Sequence, residues 1–237
     1  MYKLANLIYI YLVSLIMLKK ILSYLYPITV YSEKSIISKE LKILLYNGNY
    51  LLDTTNTNYS YGSLEKVLKK GLNFIGNKII QEKRNILVMG VAGGSVIKTL
   101  VNDFNCNQPI TGIELDANII RLANKYFELN KIPNFNCIID DAQHFIAHSD
   151  QNFDLIIIDI FEDMSMPDFL FESKFINNYK KRLSNKGHII FNMMWSGPDK
   201  RDKISNFLNH FEDKNYQIQH LKSVEKYNDL FVIQSLD

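Results

Sequence analysis

Several short apolar runs in this chain end in residues that can do chemistry. The run ILVMG at 86–90 passes into Gly90-Val91-Ala92-Gly93-Gly94-Ser95, where small residues let backbone N–H groups approach a ligand closely. The run at 109–115 ends in Glu114 and Leu115, the one at 135–140 leads into Asp140-Asp141-Ala142, and the one at 153–159 ends in Asp159. An acid about twenty residues beyond such a loop can accept both ribose hydroxyls of a nucleotide, and Glu114 stands at that distance from Gly90. The loop does not read G-x-G-x-x-G and holds no Lys or Arg, so neither a dinucleotide nor a P-loop phosphate site is indicated. A nucleoside with hydroxyls, an amino adenine and a cationic sulfonium suits acids instead. S-adenosylmethionine and its decarboxylated form are such ligands. Taken singly, each acid also reads as a cap for the helix that follows it. Taken together, they mark one rim.

The rim requires elements that carry all four ends to the same edge. From residue 85 onward, short apolar runs alternate with helical patterns: 94–104, 117–127, 142–148 and 172–183 read as helices between the runs. A fifth strand is expected at 188–195 and a helix near 203–211, and 216–221 with 229–234 read as a closing hairpin with one antiparallel strand. This alternation predicts an α/β fold with a doubly wound, mostly parallel sheet. FDLIIID, apolar throughout, fits a central strand covered on both faces. Upstream, Asn47-Gly48 between two apolar runs predicts a tight hairpin turn, and Leu64, Val67, Leu68 and Leu72 predict a helix over 63–75. The expected organisation is an apolar segment at 1–26, a small β/helix region at 27–75 and an adenosyl-binding α/β domain at 76–237.

Composition bounds the function. Lys and Arg number 27 against 25 Asp and Glu, a net charge of +2, which argues against a nucleic-acid-coating protein. Two cysteines exclude a disulfide framework and any Cys-rich zinc module, and point to a reducing, cytoplasmic setting. No metal is expected: His144 and His148 are four apart on a short helix but have no third ligand of clear spacing. The uncharged run from Leu4 to Leu18 is shorter than the ~20 residues that span a bilayer, and Lys19 and Lys20 follow it. It reads as a leader ahead of a start at Met17, as a membrane-touching helix, or as a helix packed on the domain.

ILVMGVAGGSV, GIELDANIIRLANKYF, IIDDAQHFI and FDLIIIDIFEDMSMPDFLFESKF together resemble the spermidine/spermine synthase family. The early hairpin and NYSYGSLEKVL resemble that family's small N-terminal domain. The resemblance implies a class I methyltransferase-like Rossmann fold with a seven-stranded sheet. It places Gly90 and Gly94 along the ligand's tail, Glu114 at the ribose and Asp141 with Ala142 at the adenine, and counts Val91, Gly93, Leu115, Asp140 and Asp159 among the donor-binding residues too. It also implies a catalytic role for Asp159 as the first acid of a D-x-x-D loop, with Glu162 as the second, and for Tyr61. Family members are commonly dimers or tetramers, so a homodimer is possible.

This chain departs from the family pattern in places. Gly93 stands where the family's loop carries Asp, Glu162 replaces the second Asp, and Gly62-Ser63 replaces a polar pair after Tyr61. An Asp at position 93 would repel the carboxylate of intact S-adenosylmethionine. Its absence turns the expectation toward the intact donor and methyl transfer to a small acceptor, in which amines are included. Aminopropyl transfer in polyamine biosynthesis is the alternative, and a non-catalytic adenosyl-binding module a second one. Asp159, Glu162, Asp163, Asp168 and Glu172 form an acidic lip suited to a cationic acceptor, or else a solvated loop leading into a helix. Phe191, Met193, Met194 and Trp195 are read as core packing, with an acceptor wall as the other possibility.

Overall fold

The structure, a computed structural model, describes residues 2–54, 63–162, 166–195, 197, 199–225 and 227–237. The chain opens with α1 (Tyr2–Leu22), followed by β1 (Ile28–Ser35), β2 (Lys39–Tyr46) and β3 (Asn49–Thr54). Helices α2 (Ser63–Ile75) and α3 (Asn77–Gln81) lead to β4 (Ile86–Met89) and α4 (Ser95–Asn102). The alternation continues with β5 (Ile110–Glu114), α5 (Ala117–Phe127), β6 (Phe135–Ile139), α6 (Ala142–His148) and β7 (Phe153–Ile158). It ends with α7 (Ser173–Arg182), β8 (Leu183–Met194), α8 (Lys200–Asn209), β9 (Tyr216–Glu225) and β10 (Asn228–Ser235).

Seven strands form one sheet in the order β6-β5-β4-β7-β8-β10-β9. Pairings from β6 through β8 are parallel, and β10 is antiparallel to both its neighbours. One strand is therefore reversed, as the closing hairpin predicted. The central strands carry Ile, Leu and Val on both sides because helices cover both faces. Ile86 and Val88 of β4 join a core with α2 and α4, while Leu87 and Met89 join a second core with α7 and α8. The doubly wound order puts the carboxyl ends of β4, β5, β6 and β7 at one edge, and the first strand pairs on either side of β4 meet there.

Two details differ from the sequence reading. The hairpin is part of a three-stranded antiparallel sheet, because β1 pairs along β2. The alternating ITVYSEKS of β1 is half polar, a signal easily lost beside the apolar stretch that precedes it. Strand β8 begins at Leu183 rather than at 188, after a register shift between Phe153 and Leu155 of its partner. The Asn47-Gly48 turn takes positive φ at both residues, 49° and 74°, as a two-residue hairpin loop with right-handed strand twist requires.

The small sheet is fixed to the large one through α5. Leu41, Ile43 and Leu52 pack on Ile119 and Leu122, burying a shared apolar seam. The Arg121 guanidinium meets both oxygens of Glu33, and Lys125 lies over the rings of Tyr31 and Tyr126. Along α1, Ile16, Met17, Leu18 and Ile21 are exposed. Among the described residues, no helix is long and apolar enough to cross a membrane.

Candidate functional site

A cavity of about 440 Å³ opens at the carboxyl edge of the large sheet. Gly90, Glu114, Leu115, Asp140, Asp141, Ala142, Asp159 and Glu162 all line it, so the rim read from the sequence is brought together. Val91, Gly93 and Gly94 stand beside it in the same loop without lining it. Val91 turns its side chain into the core, and Gly93 is buried. Tyr61 and Asp163 lie outside the described residues.

Gly90 shows why the first strand must end in glycine. Its φ is 89°, and a Cβ there would sit 2.2 Å from the carbonyl oxygen of Asp159. The two strand ends touch through this missing side chain, which places the loop and Asp159 on one wall.

Glu114 is tied to the loop. Its Oε2 accepts from the N–H groups of Val91 at 3.1 Å and Ala92 at 3.0 Å, and its Oε1 from Asp116 N–H at 3.2 Å. Burial pushes its pKa up, and these amides oppose that rise. Glu114 thus has a structural task besides any ligand contact: it holds the loop in the conformation that leaves the backbone open to the cavity.

The capping reading of the acids holds for some of them. Asp141 Oδ1 accepts from the N–H groups of Gln143 and His144 at the start of α6, and Asp116 Oδ1 from Asn118 at the start of α5. Asp140 receives its own neighbour's N–H and lies 2.9 Å from His144 Nδ1, an imidazole that holds the Asp140 pKa below its ordinary value. Asp141 caps and lines the cavity at once, so the two readings are not exclusive.

Asp159 differs from these acids because no helix start claims it. It follows β7 directly and is half-buried. Its Oδ1 accepts from Asn192 Nδ2 at 2.8 Å. Burial pushes its pKa up to about 6, against the lowering effect of that hydrogen bond. Asn192, a partner the sequence reading missed, is a lone polar residue inside the apolar run HIIFNMMW. That break in an otherwise core strand was the available signal.

The other walls are shared. Ile160, Phe161, Pro167 and Phe169 supply apolar surface. Phe191 and Met193, by contrast, are fully buried in the core, and Trp195 Nε1 donates to Asp199, so the packing reading of that stretch holds. Asp168 is turned to Lys203 at 2.9 Å and does not line the cavity, which thins the acidic lip. A contribution that sequence reasoning missed comes from the turn after β1 and the start of β2, where Ile37, Ser38 and Lys39 close one side. Buried Asp116 holds that turn: its Oδ2 accepts from the hydroxyls of Ser35 and, at 3.0 Å, Ser38.

The doubly wound sheet is shared with known proteins. Residues 65–227 match the family model described as the spermine/spermidine synthase domain. The chain belongs to this family. Over 109 residues it is 32% identical to a polyamine aminopropyltransferase of Buchnera aphidicola subsp. Acyrthosiphon pisum, a match covering 44% of this chain and 38% of that relative. The match thus spans under two-fifths of the relative's length. Among solved structures, a probable spermidine synthase from Corynebacterium glutamicum aligns with a TM-score of 0.71 at 16% identity, over 89% of this chain and 81% of the other. Human methyltransferase-like protein 13 in complex with SAH aligns with a TM-score of 0.61 at 19% identity, over 74% and 83%. The family's architecture is therefore one that methyltransferases share, and the choice of reaction has to be argued from the site.

Proposed function

We propose that this chain transfers the aminopropyl group of decarboxylated S-adenosylmethionine to a small amine. The observation that carries the proposal is Asp159: a half-buried carboxylate, held at Oδ1 by Asn192, on the wall of an acid-lined cavity. Family membership and the curated aminopropyltransferase relatives support the same reading. They favour it over the methyl transfer that Gly93 suggested from sequence. Gly93 is buried and does not line the cavity, so its lack of a carboxylate is a weak guide to the donor.

The chemistry asks little of the protein beyond alignment and a base. The donor's sulfonium already activates the adjacent carbon. An amine nitrogen attacks that methylene, the carbon–sulfur bond breaks, and its electron pair returns to sulfur to give a neutral thioether. A protonated amine has no lone pair to attack with, so the acceptor must lose a proton first. Asp159, with a pKa near 6, is ionised at neutral pH and close enough to that pH to take the proton and then give it to water. Glu114, Asp140 and Asp141 supply acceptors for the ribose and adenine side, and the cavity's negative rim favours a cationic donor and acceptor alike. A cytoplasmic location fits such a reaction.

Incubation with decarboxylated donor and putrescine, read by mass spectrometry, tests this directly. Spermidine above the blank is expected. Its absence across a panel of diamines and polyamines, with the donor bound, would remove the proposal. One observation favours methyl transfer as a second reading: Lys39 brings a cation to the cavity, where it could meet the carboxylate of the intact donor. Methylated product from S-adenosylmethionine and the same amines would establish it.

A further inference from the structure

Asn192 and Asn228 lie 1% and 4% exposed, and Phe191, Met193 and Leu230 near them are fully buried. A buried amide without partners costs free energy, so two of them in adjacent strands need a reason. The reason is directional. An ionised carboxylate can only accept, so the amide nitrogen of Asn192 must face Asp159 Oδ1, 2.8 Å away. That leaves the Asn192 oxygen as an acceptor, and Asn228 Nδ2 donates to it at 3.0 Å. Asn228 therefore fixes which way Asn192 points, and Asn192 fixes one oxygen of Asp159.

We propose that Asn192, oriented by Asn228, is a positioning residue that holds Asp159 in one rotamer through Oδ1 and keeps it ionised near neutral pH. The identity of the proton that Asp159 then accepts rests on the aminopropyl-transfer reading; the positioning does not. The groups around Asp159 make a donor necessary. Glu162 faces the cavity from the same loop, Glu114 from the end of β5, and Asp140 and Asp141 from the start of α6. Burial disfavours the charge on Asp159, and the hydrogen bond from Asn192 opposes that. Lys39, the first residue of β2, is the one Lys or Arg lining the same cavity. Asn192 is a hydrogen-bond donor that acts on Asp159 directly.

The test reads the titration of Asp159 itself. Carboxyl ¹³C resonances of aspartate-labelled protein are followed against pH, with Asp159→Asn assigning the signal. In Asn192→Leu the midpoint should rise by roughly one pH unit or more, the scale of one hydrogen bond to a charged group. Asn228→Leu, which removes only the orienting partner, should raise it less. The acid limb of kcat/KM should move with the midpoint while the KM for the donor stays within about twofold. Should Asn192→Leu fail to fold, Asn192→Ser replaces it, with the same upward direction expected. An unmoved Asp159 midpoint in any folded Asn192 variant overturns the proposal. Because the titration needs no turnover, absence of aminopropyl transfer would leave this result standing on its own.

Discussion

The half-burial that suits Asp159 to the proposed role of base should also make it a cost to the fold. Its pKa is pushed from the ordinary 3.8 up to about 6, so the folded state binds a proton more tightly than the unfolded chain does. Stability from this group is then full below pH 3.8 and is lost as pH rises through 6. At 1.36 kcal/mol per pH unit the difference amounts to about 3 kcal/mol above neutrality. Water entering the cavity reduces that ceiling to roughly 1–2 kcal/mol. Asp159→Asn keeps the shape and the oxygen that Asn192 uses, and removes the charge. The variant should be more stable than the native protein at pH 7.5 by about that amount, or roughly 2–8 °C in Tm for a chain of this size. The gap should shrink by about half at pH 5, and aminopropyl transfer should fall by roughly 10²-fold or more. Urea titrations at the two pH values, with Tm by circular dichroism, measure it. A variant no more stable than native at pH 7.5, or a gap that does not change with pH, would refute the claim that the protein holds a destabilised carboxylate for use. Stability given up at a catalytic group is a familiar exchange.

Three further outcomes follow from the geometry. Gly90→Ala drives a methyl group to 2.2 Å from the Asp159 carbonyl oxygen at a φ of 89°, and should cost about 2 kcal/mol or more together with thioether-product binding; denaturant melts and calorimetry report both. Glu114→Gln leaves one acceptor oxygen for three backbone N–H groups, so it should destabilise by about 1–3 kcal/mol and raise hydrogen exchange at Val91 and Ala92. Asp116→Ala removes the acceptor for Ser35 and Ser38 and the cap of α5, and should speed exchange at residues 35–39 while costing about 1–2 kcal/mol.

Most of the sheet and much of the rim could be read from the residues, and the reason is physical. Strands buried on both faces leave unbroken apolar runs, and the acids that close them fall at one edge by topology alone. Ser63–Ile75 was legible because Val67, Leu68 and Leu72 recur at the helical period. What could not be read depends on contacts between segments distant in sequence. Asn192 reaches Asp159 across 33 positions, and Ser35 reaches Asp116 across 81. Neither pairing leaves a local pattern. Strand β1 was hidden for a related reason: its value lies in pairing with β2 and in the turn it sets over the cavity, not in its own hydrophobicity.

That turn also closes the cavity. The family match begins at residue 65, yet Ile37, Ser38 and Lys39 close the cavity from before it. Asp116 joins the two parts: its carboxylate holds the turn, and its N–H holds Glu114, which in turn holds the loop after β4. Consecutive hydrogen bonds thus connect the turn, Asp116 and Glu114 to the loop after β4. On the proposed reading, acids that hold the adenosine would serve intact and decarboxylated donors equally, because both carry the same nucleoside and the same sulfonium. Discrimination can only come from groups that meet the carboxylate or its absence. Among the cavity's lining residues, Lys39 is the one Lys or Arg, set against the carboxylates of Glu114, Asp140, Asp141, Asp159 and Glu162.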